Sequence, residues 1–244
     1  MNKVALVIGA GDATGGAIAR RFAREGYTAC VTRRSLDKLQ PLLEQIRSAG
    51  GSAEGFASDA RKEEEVIALV EEVERTIGPI EVMVFNIGAN VPSSILEETA
   101  RKYFKVWEMA CLGGFLNGRE VARRMVRREG DGHKGTIIFT GATASLRGSA
   151  NFAAFAGAKH ALRALAQSMA RELGPRGIHV AHVVVDGAID TEFIRSNFPE
   201  RYALKDQDGI LDPDHIADSY WYLHGQPRDA WTHELDLRPW SEKF

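Results

Sequence analysis

The sequence predicts an α/β domain built on a doubly wound, mostly parallel sheet of seven strands with helices on both faces. Two observations support this prediction. Short β-branched runs alternate with longer segments of helical period along all 244 residues, and this alternation is typical of βαβ units with right-handed crossovers. Most of the short runs are continuously apolar, as in strands that helices cover on both faces.

The boundaries of the elements follow from these patterns. The predicted strands are Val4–Ile8, Ala29–Thr32, Ala53–Ala57, Val82–Phe85, Thr136–Phe139, Val180–Val185 and Glu234–Leu237. The segments between them have the period of amphipathic helices. The predicted helices are Ala13–Glu25, Leu36–Ala49, Lys62–Ile77, Thr99–Arg128 and Asn151–Leu173. No repeat, linker or low-complexity tract divides the chain, so we expect one domain over residues 1–244.

Composition and charge argue against several classes of protein. The formal net charge is -2, which indicates neither a nucleic-acid partner nor an anionic membrane. No run reaches the roughly 18 apolar residues that a membrane span needs. Two cysteines, Cys30 and Cys111, fit a reducing compartment, and we expect a cytoplasmic protein.

The histidines give no sign of a metal site. His160, His179 and His182 lie in predicted helix or strand, where we expect structural roles, and the cysteine and histidine spacings predict no metal site.

A glycine-rich turn follows the first predicted strand. Gly9, Gly11, Thr14 and Gly15 lie between that strand and the body of the next helix. Backbone N–H groups at such a turn, together with the helix dipole, bind phosphate, and the absent side chains permit a close approach. The turn alone is weak evidence for a dinucleotide site, because a purely structural turn also needs small residues.

The ends of the next strands indicate which dinucleotide is bound. Arg33 and Arg34 come at the end of the second strand, where an acidic residue would accept from a free ribose 2′-hydroxyl and an arginine favours a 2′-phosphate. We therefore expect NADP(H) to be preferred over NAD(H), with two solvated surface arginines as the alternative. Asp59 is a candidate acceptor for the adenine amino group, and the turn containing Asn86 and Gly88 would lie beside the cofactor.

These motifs and several others resemble the classical short-chain dehydrogenase/reductase family over nearly the whole chain. The matching segments are Gly9–Gly15, Asp59, Asn86–Ala89, Thr140–Gly148, Phe155–Lys159 and Asp186–Thr191. The resemblance implies a single Rossmann-type domain, a small-molecule substrate and a homodimer or homotetramer. It also implies that Gly187, Ile189 and Thr191 contact the cofactor and that a lid over about residues 191–211 covers the substrate.

Most catalytic residues of that family are replaced in this sequence. The family uses an asparagine, a serine, a tyrosine and a lysine. Alignment on Lys159 places Phe155 at the tyrosine position and Ala142 at the serine position. Alignment on Gly113 and Phe115 places Ala110 at the asparagine position. All five tyrosines of the chain lie outside this stretch. The pattern resembles a divergent subgroup with phenylalanine in place of the catalytic tyrosine.

Two functions remain open at this point. The first is an NADP(H)-dependent oxidoreductase whose substrate needs no strong acid, such as an iminium ion or an activated alkene, and the retained Lys159 favours it. Ordinary ketone reduction is not expected, because a missing general acid costs roughly 10² to 10⁴ in rate. Polar candidates near the pocket are Thr143, Ser145, Asp186 and Tyr202. Turn shaping is the favoured role for Thr143 and Ser145, and capping of the following loop is the alternative for Asp186. The second function is an NADP(H)-binding sensor or assembly protein without chemistry.

Overall fold

Strands and helices alternate in the computed structural model, which describes residues 2–130 and 132–243. The strands in these ranges are β1 (Val4–Ile8), β2 (Thr28–Arg33), β3 (Ser52–Ala57), β4 (Ile80–Phe85), β5 (Gly135–Thr140), β6 (Ile178–Val185) and β7 (Glu234–Leu237). They form one sheet in the order β3-β2-β1-β4-β5-β6-β7. Every neighbouring pair is parallel. The predicted doubly wound Rossmann-like domain is confirmed, and its sheet is parallel throughout.

Helices cover both faces of this sheet. In the described ranges the α-helices are α1 (Thr14–Arg24), α2 (Gln40–Ser48), α3 (Glu63–Thr76), α4 (Ala100–Trp107), α5 (Gly113–Met125), α6 (Ala153–Leu173), α7 (Glu192–Asn197), α8 (Pro199–Tyr202) and α9 (Pro213–His224). None of them combines the length and the apolar character that crossing a membrane requires. The predicted helix over 99–128 is two helices, because a π-helical turn at Glu108–Leu112 joins α4 to α5.

Two apolar cores flank the sheet, and β1 contributes to both. Ala5 and Val7 face one core together with α1, α2 and α9, whereas Leu6 and Ile8 face the other together with α3, α5 and α6. Successive side chains of a strand point to opposite faces. A strand that is covered on both faces is therefore apolar at most positions, which explains the nearly continuous runs in the sequence.

Helix α9 was absent from the predicted elements. Asp212 caps its first turn by accepting from the backbone N of Asp214 at 2.7 Å, and Pro213 occupies the first helical position. Tyr220 and Leu223 are fully buried in the core shared with α1. An aspartate cap followed by proline is a helix-start signal, so the sequence did contain a sign of this helix.

Candidate cofactor and active site

A cleft opens at the carboxyl ends of the central strands. Its volume is about 190 Å³. It is lined by Gly9, Thr32, Arg33, Arg34, Ser58, Asp59, Ala60, Arg61, Ile87 and Met109. Doubly wound sheets bind ligands at this edge, where the strand order reverses beside β1 and β4. The structure thus brings the predicted residues Gly9, Arg33, Arg34 and Asp59 together at one cleft.

The glycine-rich turn between β1 and α1 is tightly packed on one side and open on the other. Gly9 has a φ of +84°, and a Cβ on Gly15 would lie 2.5 Å from the Gly9 carbonyl oxygen. Asn86 supports the turn, because its Nδ2 donates to the same oxygen at 3.3 Å. In contrast, a Cβ on Gly11 would meet no described atom within 4 Å. Gly9 and Gly15 are therefore needed for packing, and Gly11 borders space that a ligand can enter.

Arginines and carboxylates form the polar mouth of the cleft. Arg33 Nη1 lies 3.3 Å from Oδ1 of the exposed Asp12. Arg61 binds Asp59 through two hydrogen bonds, from Nε at 2.8 Å and from Nη2 at 2.5 Å. These bonds, helped by the charge of Arg34, lower the pKa of Asp59 to about 2, so this carboxylate stays ionised. Sequence reasoning singled out Asp59 but missed Arg61, and their spacing of two residues was the available signal.

Lys159 lies beside Phe155 and reaches Ile87, one of the residues that line the cleft. The two residues are one turn apart on α6, which brings both side chains to the same face. Lys159 is buried, and its Nζ donates to the carbonyl oxygens of Thr140 at 2.7 Å and Ile87 at 3.1 Å. The centre of the Phe155 ring is 5.9 Å from Nζ. Burial lowers the pKa of Lys159 to about 8.

Phe155 belongs to a small apolar cluster. The other buried members are Ala89, Val106, Ala110, Ala144, Ala154, Ala156 and Ala158. The partly buried Ala142 packs against this group. The three positions 110, 142 and 155 therefore present methyl groups and a phenyl ring at the place where the family resemblance implies an amide and two hydroxyls.

The polar candidates next to this cluster bind one another or the backbone. Thr143 Oγ1 donates to Oδ1 of the buried Asp186 at 2.5 Å. The second oxygen of Asp186 lies 3.7 Å from Nη1 of Arg238. Ser145 Oγ accepts from the backbone N of Ala142 at 3.1 Å. These bonds favour the turn-shaping roles that the sequence left open for Thr143 and Ser145.

Two tyrosines approach the region from other directions. The Tyr103 hydroxyl lies 2.6 Å from the position of a Cβ on Gly157. Gly157 follows Phe155 by two residues, so it lies about 200° further around α6. Tyr220 is fully buried on the α9 side of the sheet, where its hydroxyl bonds Thr140 Oγ1 at 2.8 Å. Neither hydroxyl therefore replaces the one that is missing at Phe155.

The loop after β6 leads into the predicted lid, which contains α7 and α8. Gly187 has a φ of +143°, and Ile189 pairs with Leu211 in an isolated β-bridge. Thr191 caps α7 by accepting from the backbone N of Ile194 at 3.1 Å. The described residues that line the cleft do not include Gly187, Ile189 or Thr191, so their predicted contacts with a cofactor stay predictions.

Most of the chain matches one family model. The model of the short chain dehydrogenase family covers residues 3–201. The chain belongs to the short-chain dehydrogenase family. This short-chain dehydrogenase is 30% identical over 207 residues to sorbitol-6-phosphate 2-dehydrogenase from Escherichia coli (strain K12), a match that spans 84% of this chain and 78% of the relative.

Solved structures of short-chain dehydrogenases have the same fold. A short-chain dehydrogenase from Rhodopseudomonas palustris is 47% identical, with a TM-score of 0.81, and the match covers 98% of this chain and 100% of that chain. An alcohol dehydrogenase from the archaeon Thermococcus sibiricus, complexed with 5-hydroxy-NADP, is 26% identical, with a TM-score of 0.85 and coverage of 100% and 99%. The sheet and its helices are thus those of the family.

The glycine-rich turn of this short-chain dehydrogenase fits a nicotinamide dinucleotide, the type of cofactor that the family uses. Helix α1 begins at Thr14, and Ala13 before it offers no side-chain acceptor to the N–H groups of the first turn. The open space beside Gly11 adjoins these groups. Free N–H groups and the helix dipole attract phosphate, so the pyrophosphate of a dinucleotide suits this end of α1.

Proposed function

We propose that this short-chain dehydrogenase is an NADP(H)-dependent oxidoreductase whose substrate needs no protein hydroxyl as a proton donor. One observation carries the proposal: Lys159 is buried and oriented by two carbonyl oxygens, whereas its neighbour at the tyrosine position is the apolar Phe155. Two substrate classes meet this condition. An iminium ion is already cationic, and an activated alkene can take its proton from water.

The mouth of the cleft supports the preference for NADP(H). Arg33 and Arg34 line it, and the end of β2 carries no acidic residue that would accept from a free 2′-hydroxyl. Asp12 pairs with Arg33, but the Asp12 side chain is 94% exposed, so a 2′-phosphate can displace it at small cost. The structure of the Thermococcus sibiricus relative contains an NADP derivative.

The residues of the site would have separate roles in this reaction. When bound, the reduced cofactor would supply a hydride to the substrate. Lys159 would orient the nicotinamide ribose through its remaining N–H group, since two carbonyl oxygens already hold the ammonium in place. Phe155 and Ala142 would form an apolar wall beside the carbon that receives the hydride. The lid over residues 191–211, the homo-oligomer and the cytoplasmic location remain predictions.

The test combines binding and turnover. Calorimetry should show tighter binding of NADPH than of NADH, and Arg34→Gln should weaken NADPH binding about 10-fold or more, as expected when a phosphate loses a charged partner. Arg75→Gln, at an exposed position on α3, is the matched control. NADPH oxidation should be seen with imines or enones and should be far slower with ketones. If the protein binds NADPH but turns over no imine, enone or ketone, the proposal that it is an enzyme is refuted.

A dinucleotide-binding protein without chemistry is the second candidate, and the apolar cluster around Phe155 favours it. This candidate predicts tight NADPH binding and no turnover by the native chain. A Phe155→Tyr/Ala142→Ser double variant that reduces ketones would show that the scaffold is competent and that the missing hydroxyls alone prevent the reaction.

A further inference from the structure

A second and larger cavity adjoins the cofactor cleft. Its volume is about 600 Å³, and it lies between the loop after β4 and one side of α4. Met109 lines both this cavity and the cleft, so the two spaces meet there. The predicted cofactor residues other than Gly88 do not line it in the described part of the chain.

One wall of this cavity is cationic. Arg101, Lys102 and Lys105 of α4 line it, and spacings of three and four residues bring them to one side of the helix. Within residues 2–130 and 132–243, none of the three pairs with a carboxylate. Glu97 and Glu98 precede α4 but are not lining residues. The positive charge is therefore available to an anion.

The floor of the cavity is apolar. Val106 is buried and Met109 partly buried, and Val91 on the facing loop is 47% exposed. Lys102 ties the helix to that loop, because its Nζ donates to the Pro92 carbonyl oxygen at 3.2 Å. A cavity with cations on one wall and aliphatic side chains beneath them suits a molecule that has an anionic end and an apolar body.

Gly88 connects this cavity to Lys159 and Phe155. A Cβ on Gly88 would lie 3.7 Å from the Phe155 ring and 3.9 Å from Lys159 Cε, and Gly88 also lines the cavity. We infer that the cavity binds the anionic end of the substrate, a carboxylate or a phosphate ester, and that the apolar body extends past Gly88 toward Phe155. This inference rests on the proposed oxidoreductase function.

The test uses short amphiphiles as probes. Hexanoate, hexyl phosphate and neutral hexanol are titrated by calorimetry into the protein saturated with NADP⁺. In an Arg101→Gln/Lys105→Gln variant we expect the affinity for both anions to fall about fivefold to tenfold, as for two exposed ion pairs, and the affinity for hexanol to stay unchanged. Added salt should weaken anion binding to the native protein. The tighter of the two anions identifies the substrate group.

A control variant removes the same charge elsewhere. Arg75→Gln/Arg176→Gln changes two exposed arginines near the amino ends of β4 and β6, at the opposite edge of the sheet, and should bind the anions like the native protein. Equal anion affinity in the native protein and the Arg101→Gln/Lys105→Gln variant would overturn the inference. The inference would also be overturned if the Arg101→Gln/Lys105→Gln variant lost NADPH affinity to the same extent, because the two cations would then bind the cofactor and not the substrate. If the chain binds no NADPH, the proposed function fails, and the anion titration is then read without cofactor.

Discussion

Lys159 is a buried amine whose hydrogen bonds go to backbone carbonyl oxygens. Burial lowers its pKa to about 8, because desolvation disfavours the ammonium. Its importance was predictable from the family resemblance. Its environment was not, since the two acceptors, Ile87 and Thr140, come from different strand ends and meet only in the folded chain.

Replacing Lys159 with methionine should change how stability depends on pH. In the native protein, the free energy of unfolding should rise from pH 8 to 10.5 by up to about 3 kcal/mol, because the unfolded chain, with the ordinary pKa of 10.5, still binds a proton that the folded chain has lost. Lys159→Met removes this contribution. Urea denaturation of both proteins across this pH range measures the difference in their free energies of unfolding. Both proteins contain the same tyrosines and cysteines, so the contributions of those groups cancel in this difference. Parallel curves would contradict the lowered pKa.

The helical segment from α4 to α5 shows what local sequence cannot predict. Its periodicity predicted one helix, but the π-helical turn at Glu108–Leu112 interrupts it and buries Ala110 and Cys111. Immediately afterwards, a Cβ on Gly114 would lie 2.5 Å from Leu162 Cδ1. The close approach of α5 to α6 therefore restricts the register of the segment. Such packing depends on residues about fifty positions apart, and π-turns of this kind occur frequently at functional sites.

Helix α9 should lose stability when its cap is removed. Asp212→Ala deletes the acceptor of the Asp214 N–H and should lower the free energy of unfolding by about 1 kcal/mol. Chemical denaturation measures the change. The exposed Asp37, whose side chain makes no hydrogen bond or ion pair in the described part of the structure, gives the matched control Asp37→Ala, which should change stability by less than about 0.5 kcal/mol. Equal losses in the two variants would show that the cap is not the cause.

Much of the architecture could be predicted from the sequence, because buried parallel strands appear in it as apolar runs. The carboxyl ends of these strands lie at one edge of the sheet, so the residues that follow them are expected to be neighbours. The sequence alone therefore predicts that Gly9, Arg33 and Asp59 lie together, as they do in the cleft. The cationic wall on α4 could not be predicted in the same way. Whether Arg101 and Lys105 face a cavity or bulk solvent depends on how the loop after β4 folds over the helix.

Two buried histidines lie on opposite sides of the sheet. His182 of β6 bonds Glu234 Oε2 at 3.0 Å, and Arg163 of α6 binds the same carboxylate. His224 of α9 bonds the Tyr27 hydroxyl at 2.8 Å and Thr136 Oγ1 at 2.9 Å. Burial lowers the pKa of each histidine from 6.5 to about 4. Both cores therefore contain an imidazole that is neutral at pH 7.

These histidines should make the molecule sensitive to acid. Between pH 6.5 and 4 these histidines are protonated in the unfolded chain but stay neutral in the folded chain. As the pH falls through this range, the free energy of unfolding should therefore decrease by about 3 kcal/mol for each histidine. Glutamine can replace each imidazole as a hydrogen-bonding partner without titrating, so His182→Gln and His224→Gln should each make this decline shallower by about 3 kcal/mol over the same range. Urea denaturation at a series of pH values measures the slopes. His215→Gln, at an exposed position of α9, is the matched control. If His182→Gln and His224→Gln decline as steeply as that control, the acid sensitivity comes from other groups.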